Sequence, residues 1–536
     1  MTHAEDGPPQ PTTAAEWNTL RAPFDARGGH DAGEEGATIR AATGAFTVLD
    51  AGPGPAAGAL TAPLSALGVR TILPGRPGSE QATGYCAVLV GDGALGALPS
   101  PGLDRARILA AARAMARSGG GRLVLVTDAG RETRPADGFE SRARLAADLG
   151  WWRHLAASFA GSGVVANTLL TGYAPELGHR LPPFAEAGLL RYQAQRHFTT
   201  AVEVAAGVAF LLSAGCSYLV GETLRADGGA GLGQIPALPE DGPDWPLPAA
   251  AEGPAFLPSG PVTGPSSRVP ADLAGTRVLV AGASSGIGRA AALHLAERGA
   301  DVVLAARRTA ALDETAEEVT RLGREAWTLR CDLSDEEDVA GLGDRAWKAA
   351  DGVGALLYAA GHLGFSAIGG DAASARRTFA VNLFGFIAVT EDLVARWREE
   401  GTSGSVVGVS SVSCSFSPVA GLEYYGASKA AMAQFIRCLA VSAARHGIRA
   451  NCVAPGIIDT PMGEAAGPDH RRGWISRIPA GRVGQPHEVA SVLGHLLSPA
   501  AQRLTGDVLR VDGGFGLGDV APLRAGYGRD REGALR

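Results

Sequence analysis

The chain has 536 residues, 46% hydrophobic and 19% charged, which excludes a mostly disordered protein and suggests two to four domains. A net charge of −7, a pI near 5.9 and no basic cluster argue against nucleic acid as the main partner. The start, MTHAEDGPPQPTT, lacks a signal peptide's apolar run; no stretch reads as the roughly 18 apolar residues of a membrane span; the six cysteines form no CxxC pair, so a cytoplasmic protein is expected.

Residues 1–36 are rich in Gly, Pro and acid without periodicity and read as a disordered segment. Residues 37–232 alternate short apolar runs with helical patterns, as a first α/β domain does. Residues 233–271 form a linker. Ten prolines between Pro236 and Pro270 forbid helix or central strand there. Extended at about 3.1 Å per residue, that segment reaches roughly 100 Å. A second α/β domain follows at 272–518, then a flexible tail at 519–536.

The two domains are copies of one plan. EVAAGVAFLLSAGCSYLVGETLRADGG (Glu203 to Gly229) aligns without gaps to EVASVLGHLLSPAAQRLTGDVLRVDGG (Glu488 to Gly514), identical at 13 of 27 positions. Upstream, GVVANTLLTG (from Gly163) matches GIRANCVAPG (from Gly447), and GRLVLVTD (from Gly121) matches GSVVGVSS (from Gly404). The order is the same in both halves, which is a domain duplication rather than a short repeat.

In the second half, RVLVAG, DVVLAA, AWTLRC, ALLYAAG, SVVGVSS, IRANCVAPG and VLRVDGG read as strands. Amphipathic stretches such as RAAALHLAERG and ALDETAEEVTRLG lie between them. The expected fold class is α/β: two Rossmann-like, doubly wound parallel-sheet domains in tandem, the first degenerate.

The first strand of the second half runs into AGASSGIGRAAALHLAERG, with Gly282, Gly286 and Gly288 where a helix begins. Small residues let backbone approach a pyrophosphate, and the helix N-terminus offers N–H donors. Ser284, Ser285 and Ile287 complete that loop. The next strand ends at Ala306, followed by Arg307 and Arg308. An NAD site favours an acid there, whereas a guanidinium suits a 2′-phosphate, so the expected cofactor is NADPH.

YYGASKAAMAQFIRCLA places Tyr425 and Lys429 four residues apart on one helical face. The chain has 8 tyrosines and only two lysines, Lys348 and Lys429, so this spacing arises by chance about 0.03 times. An ammonium beside a phenol is expected to lower its pKa and let it exchange a proton with a carbonyl or hydroxyl. Tyr424 has the wrong spacing and reads as a packing residue.

Together with Ser410–Ser411, VNLFG at Asn382, Pro455–Gly456 and VDGG at Asp512, these motifs resemble the short-chain dehydrogenase/reductase family, in its 3-oxoacyl-carrier-protein reductase flavour, over about residues 272–516. The resemblance implies a seven-stranded parallel sheet of order 3-2-1-4-5-6-7 and a catalytic tetrad of Asn382, Ser411, Tyr425 and Lys429. It implies cofactor contacts at Asp332 and Leu333, Ala360 and Gly361, Pro455 and Gly456, and Thr460. No metal site is expected. The chain departs from the family at Ala281, where the family has Thr, and at Tyr358-Ala359-Ala360-Gly361, where it has N-N-A-G. Ser411 lies one position farther from Tyr425 than expected, which keeps Ser413 as an alternative.

The first half keeps the pattern and loses the chemistry. Asp128 stands at the Ser411 position, and Ser141 and Leu145 stand at the tyrosine and lysine positions. The glycine loop has become AGPGPAAGAL, where Pro53 and Pro55 remove N–H donors. Arg76 falls near the Arg307 position and leaves a vestigial nucleotide pocket open. The family forms a subunit interface at its last helix and strand, the part best retained here. The first half therefore reads as a built-in pseudo-dimer partner, in a chain expected to be homo-oligomeric. The expected activity is NADPH-dependent reduction of a 3-oxoacyl thioester or polyketide-type ketone, with alcohol oxidation as the reverse and a non-catalytic scaffold as the rival class. The loop after Thr460 is expected to cover the substrate, with Trp474 stacking on a ring and Arg471 and Arg472 meeting an acidic carrier or a phosphate.

Overall fold

The computed structural model describes residues 273–517 apart from 365–369, 417–420 and 465–467, and in the first half residues 47–50, 55–67, 69, 71–72, 86–90, 105–117, 119–128, 138–179, 194–195 and 197–232. The segments expected to be disordered (1–36), linking (233–271) and tail (519–536) lie outside the described residues.

The first half holds β1 (Thr47–Asp50), β2 (Thr71–Ile72), β3 (Cys86–Val90), β4 (Gly121–Asp128), β5 (Val164–Thr171) and β6 (Thr223–Ala226). They form one parallel sheet in the order β2-β1-β3-β4-β5-β6. Strands β4 and β5 are buried at every residue, as apolar runs in a sheet covered on both faces are.

The second half holds β7 (Arg277–Ala281), β8 (Asp301–Ala306), β9 (Ala326–Arg330), β10 (Ala355–Tyr358), β11 (Gly404–Val409), β12 (Ile448–Pro455) and β13 (Val508–Val511). All seven runs read as strands are strands. Their parallel order, β9-β8-β7-β10-β11-β12-β13, is 3-2-1-4-5-6-7 in that half's own count. The first sheet repeats this order without a counterpart of β9 among the described residues. The switch in winding direction falls between β7 and β10, where open α/β sheets place a ligand crevice.

Four helices shape the site and the contact between the halves: α1 (Ala201–Leu212), α2 (Gly286–Glu297), α3 (Glu423–Ala443) and α4 (Pro486–Leu497). Helix α1, AVEVAAGVAFLL, is apolar apart from its capping Glu203, and every residue but Val202 is buried. Such a helix needs cover on every side. It packs on β4 and β5 of its own sheet and on Pro499–Ala501 of the second half.

The repeat explains the geometry between the halves, because contacts recur at equivalent positions. Glu203 and Glu488 each cap their own helix, accepting from the amides of Thr200 and Gln485 at 2.8 Å. Each also accepts from the other half: Gln502 Nε2 donates to Glu203 at 2.9 Å, and its counterpart Ser217 donates to Glu488. The Arg225 amide donates to Asp507 and the Arg510 amide to Glu222, both at 3.0 Å. On the dyad, Phe210 stacks on its own counterpart His495, centroids 3.7 Å apart and planes within 4°. One apolar cluster runs unbroken from Leu60 and Leu64 through α1 and α4 to Leu304 and Leu312.

Among the described residues, one helical stretch, Ala372–Glu399, contains an 18-residue window as apolar as a membrane span, although charged residues interrupt the stretch. Phe386, Val389, Leu393 and Trp397 along it are wholly buried with Leu356 and Val406 of the second sheet, so it serves as a core helix.

Candidate active site

One cavity of about 450 Å³ opens at the carboxyl ends of the second sheet's strands. It is lined by every expected cofactor position, from Gly282 and Ser284–Gly288 through Arg307, Arg308, Asp332, Leu333, Ala360 and Gly361 to Pro455, Gly456 and Thr460. Gly282 has φ +92°, and a Cβ on it would come 2.6 Å from the Ala360 amide nitrogen. Gly286, at φ +55°, opens α2 against Thr460. Only glycine lets these segments approach so closely. Ser285 precedes α2 without capping it through its side chain. The first amides of the helix thus stand at the cavity as donors for a phosphate, and the site fits a nicotinamide dinucleotide.

The expected arginine pair sits beside that loop. Arg308 donates to Ser285 Oγ at 2.7 Å and to Ser284 Oγ at 3.1 Å. Arg307 lies 3.8 Å from Asp332 and is largely exposed. Burial alone would raise the Asp332 pKa. Hydrogen bonds from the Ser334 hydroxyl and amide, then the Arg307 charge, outweigh it and hold the carboxyl below its ordinary range.

Tyr425 and Lys429 occupy successive turns of α3 and both line the cavity. Lys429 Nζ donates to the Val409 carbonyl at 2.7 Å and lies 5.9 Å from the Tyr425 ring centroid. Burial pushes its pKa down to about 8. Tyr425 corrects the sequence reading. Its pKa is raised, because burial outweighs the hydrogen bond with Ser411, and the Lys429 charge does not offset that burial. The ammonium is committed to a carbonyl at the end of β11 instead.

Ser411, two residues past the end of β11, opens the turn Val412–Cys414, its hydroxyl accepting the Ser413 amide at 3.1 Å. Ser413 also lines the cavity, but the hydroxyl bonded to Tyr425 belongs to Ser411. Ser410 Oγ donates to the Lys429 carbonyl at 2.9 Å and ties the strand end to α3.

Asn382 is fully buried and does not line the cavity. It sits in the π-helical turn Ala380–Phe384, a distortion common at functional sites. Its Oδ1 accepts the His362 amide at 2.7 Å, and its Nδ2 donates to the His362 carbonyl at 3.1 Å and to Ser428 Oγ at 3.0 Å. Ser428 in turn donates to the Tyr425 carbonyl at 2.7 Å. Tyr358 Oη donates at 2.6 Å to the Val381 carbonyl inside the π turn, where helical bonding is interrupted.

The segment after Thr460, expected as a loop, forms helices Pro461–Glu464 and Pro468–Arg477. Met462 and Trp474 from it line the cavity. The side chains of Arg471 and Arg472, and Arg76 entirely, lie outside the described residues. Sequence reasoning passed over His362, Arg377 and Phe515, which also line the cavity. His362 follows Gly361, where the motif reading stopped, and no spacing marks the others. In the first half, Leu145 packs beside Leu149 and Trp152 in a sealed apolar cluster, so a side chain fills the position a lysine has in α3.

A parallel sheet with a phosphate-cradling glycine loop, and a tyrosine and lysine one turn apart in the same cleft, defines a nicotinamide-dependent oxidoreductase. Residues 282–516 match the family model described as Enoyl-(Acyl carrier protein) reductase. The cis-4-hydroxycyclohexanecarboxylate dehydrogenase of Sinomonas cyclohexanicum is 38% identical over 239 residues, 44% of this chain and 95% of that protein. The 7alpha-hydroxysteroid dehydrogenase of Escherichia coli (strain K12) is 30% identical over 237 residues, 44% of this chain and 92% of that one. A solved 7 alpha-hydroxysteroid dehydrogenase complexed with NADH and 7-oxo glycochenodeoxycholic acid is similar at 29% identity and TM-score 0.44, over 46% of this chain and 96% of that one. The chain belongs to the short-chain dehydrogenase/reductase family.

Proposed function

We propose that the second half is an NADPH-dependent ketoreductase and that the first half is its non-catalytic, built-in partner. The observation that carries the reading is the meeting of Ser411, Tyr425 and Lys429 on one wall of a cavity whose other end is the glycine loop. When bound, the nicotinamide dinucleotide supplies or accepts the hydride. The residues of the chain do the rest. The Ser411 hydroxyl holds the carbonyl oxygen. Tyr425, kept protonated by burial, donates its proton to that oxygen. Lys429 braces the wall through Val409, and Asn382 fixes the turn of α3 that carries Tyr425 through Ser428. Alcohol oxidation runs the same steps backwards. The substrate end of the cavity, with Leu363, Leu422, Met462, Trp474 and Phe515, suits an apolar ketone such as a 3-oxoacyl thioester or a polyketide ring. Screening acyl thioesters and cyclic ketones in parallel tests this; a chain that reduces neither, and oxidises no corresponding alcohol, overturns it.

NADPH is expected to be preferred over NADH by about tenfold to a hundredfold in kcat/KM, since a lost charge-assisted contact costs roughly 1.5–3 kcal/mol. Arg307→Ala is expected to narrow that preference, chiefly through KM for NADPH. Equal kcat/KM for both nucleotides in the unaltered chain contradicts the assignment.

The pH profile is set by Lys429. Its charged form exists below its pKa, and burial brings that down to about 8. Tyr425, shifted the other way, stays protonated across this range. The kcat/KM for ketone reduction is therefore expected to fall as pH rises through about 8, and Lys429→Arg is expected to carry any residual activity to higher pH.

A further inference from the structure

We infer that the first half takes part in the chemistry of the second by holding its active-site wall from behind, with Tyr218 as the positioning residue. The inference rests on the cofactor site proposed above.

Tyr218 belongs to the first half, in the turn after α1, and is fully buried. Its ring lies inside the second half's structure. A Cβ on Gly484 would come 2.5 Å from Tyr218 Cε1, and a Cβ on Gly513 would come 2.5 Å from Cε2. The ring is thus wedged between two glycines that only hydrogen atoms separate from it. Its hydroxyl donates to the Arg482 carbonyl at 3.2 Å, and the Arg482 guanidinium stacks 5.1 Å above the ring. Its own carbonyl accepts the Gly513 amide at 2.9 Å.

Both glycines lead directly to the cavity. Gly484 donates to the Ile457 carbonyl at 2.9 Å and accepts the Asp459 amide at 2.8 Å, pairing with Ile458. Ile457, Ile458 and Thr460 line the cavity on the cofactor side. Gly513 lies two residues before Phe515, which lines the cavity as well. One aromatic ring from the first half therefore supports two separate pieces of the wall.

The counterpart contact shows that this is a specialised position. In the repeat, Tyr218 aligns with Arg503. Arg503 makes the reciprocal contact, its carbonyl accepting the Gly228 amide at 3.1 Å and its guanidinium donating to Gln195 at 3.2 Å. An aromatic wedge faces the half with the tetrad, and a guanidinium faces the half without it.

The test compares Tyr218→Ala, Tyr218→Phe and Arg503→Ala in the full chain, well below all melting temperatures. The readouts are NADPH and NADH affinity by fluorescence titration, which needs no known substrate, and kcat and KM on any ketone the unaltered chain reduces. Tyr218→Ala is expected to weaken nucleotide binding at least about fivefold, with Tyr218→Phe restoring most of it because the ring stays in place. Arg503→Ala loosens the same interface away from the cavity and is expected to lower the melting temperature with nucleotide affinity unchanged. If Tyr218→Ala binds nucleotide as the unaltered chain does, or Arg503→Ala weakens binding equally, the wedge has no positioning role. If the unaltered chain binds neither nucleotide, the cofactor reading falls, and this inference with it. If it binds a nucleotide and reduces no ketone, only the substrate reading falls, and the titrations still decide the role of Tyr218.

Discussion

Tyr425→Phe is expected to abolish turnover, a loss of at least about 10² to 10⁴, while NADPH affinity changes little. The ring is almost fully buried, and phenylalanine refills its volume. What disappears is the hydroxyl that bonds to Ser411 and carries the transferable proton. Lys429→Ala is expected to behave differently. It removes the donor to the Val409 carbonyl and leaves that buried acceptor unpaired at the end of β11. Cofactor binding and turnover should therefore fall together. The discriminating measurement is NADPH titration beside single-turnover hydride transfer for each variant. A Tyr425→Phe protein that keeps its rate removes the tyrosine from the chemistry. The first half provides no substitute, because it contains no lysine and Leu145 fills the corresponding position.

The second half was largely legible because its signals are local. A glycine loop between strand and helix, a Tyr-x-x-x-Lys spacing and seven apolar runs each depend on neighbours within one element or turn. The cavity then gathers those positions without needing anything the pattern lacks. Asn382 shows where locality ends. Its motif was readable, but its place behind the wall depends on a π-helical turn and on His362, twenty positions earlier in the chain. The pKa direction of Tyr425 is not legible in the spacing for a similar reason. Spacing shows that Lys429 is near, whereas burial and the pull of the Val409 carbonyl are three-dimensional facts. Tyr218 left no trace in the sequence, since its role lies entirely in what it touches across 264 positions of chain.

Residues 271–536 expressed alone are expected to melt at lower temperature or aggregate, and to form at most a weak homodimer. Removing the first half strips the cover from α4, including His495, which stacks on Phe210, and opens the apolar cluster that joins the halves. It also leaves Arg503, only 2% exposed in the full chain, without Glu203 beside it. A second copy of the fragment could offer its own α4 in place of α1, because the contacts across the dyad recur at equivalent positions. The match fails most clearly at the arginines. In the full chain Arg482 faces Tyr218, and Arg503 faces His197, the counterparts of each other's partners. A homodimer of the fragment would set Arg503 where Tyr218 stands and bring two guanidiniums together twice over. Like charges so placed oppose association. The tandem arrangement avoids this by having one arginine of each pair replaced. Arg503→Tyr in the fragment restores the aromatic wedge at both ends and is expected to yield a defined dimer with a raised melting temperature. Sedimentation and thermal melts of the two fragments decide it. A fragment that is monomeric and melts with the full chain, with Arg503→Tyr changing nothing, would make the first half an independent module.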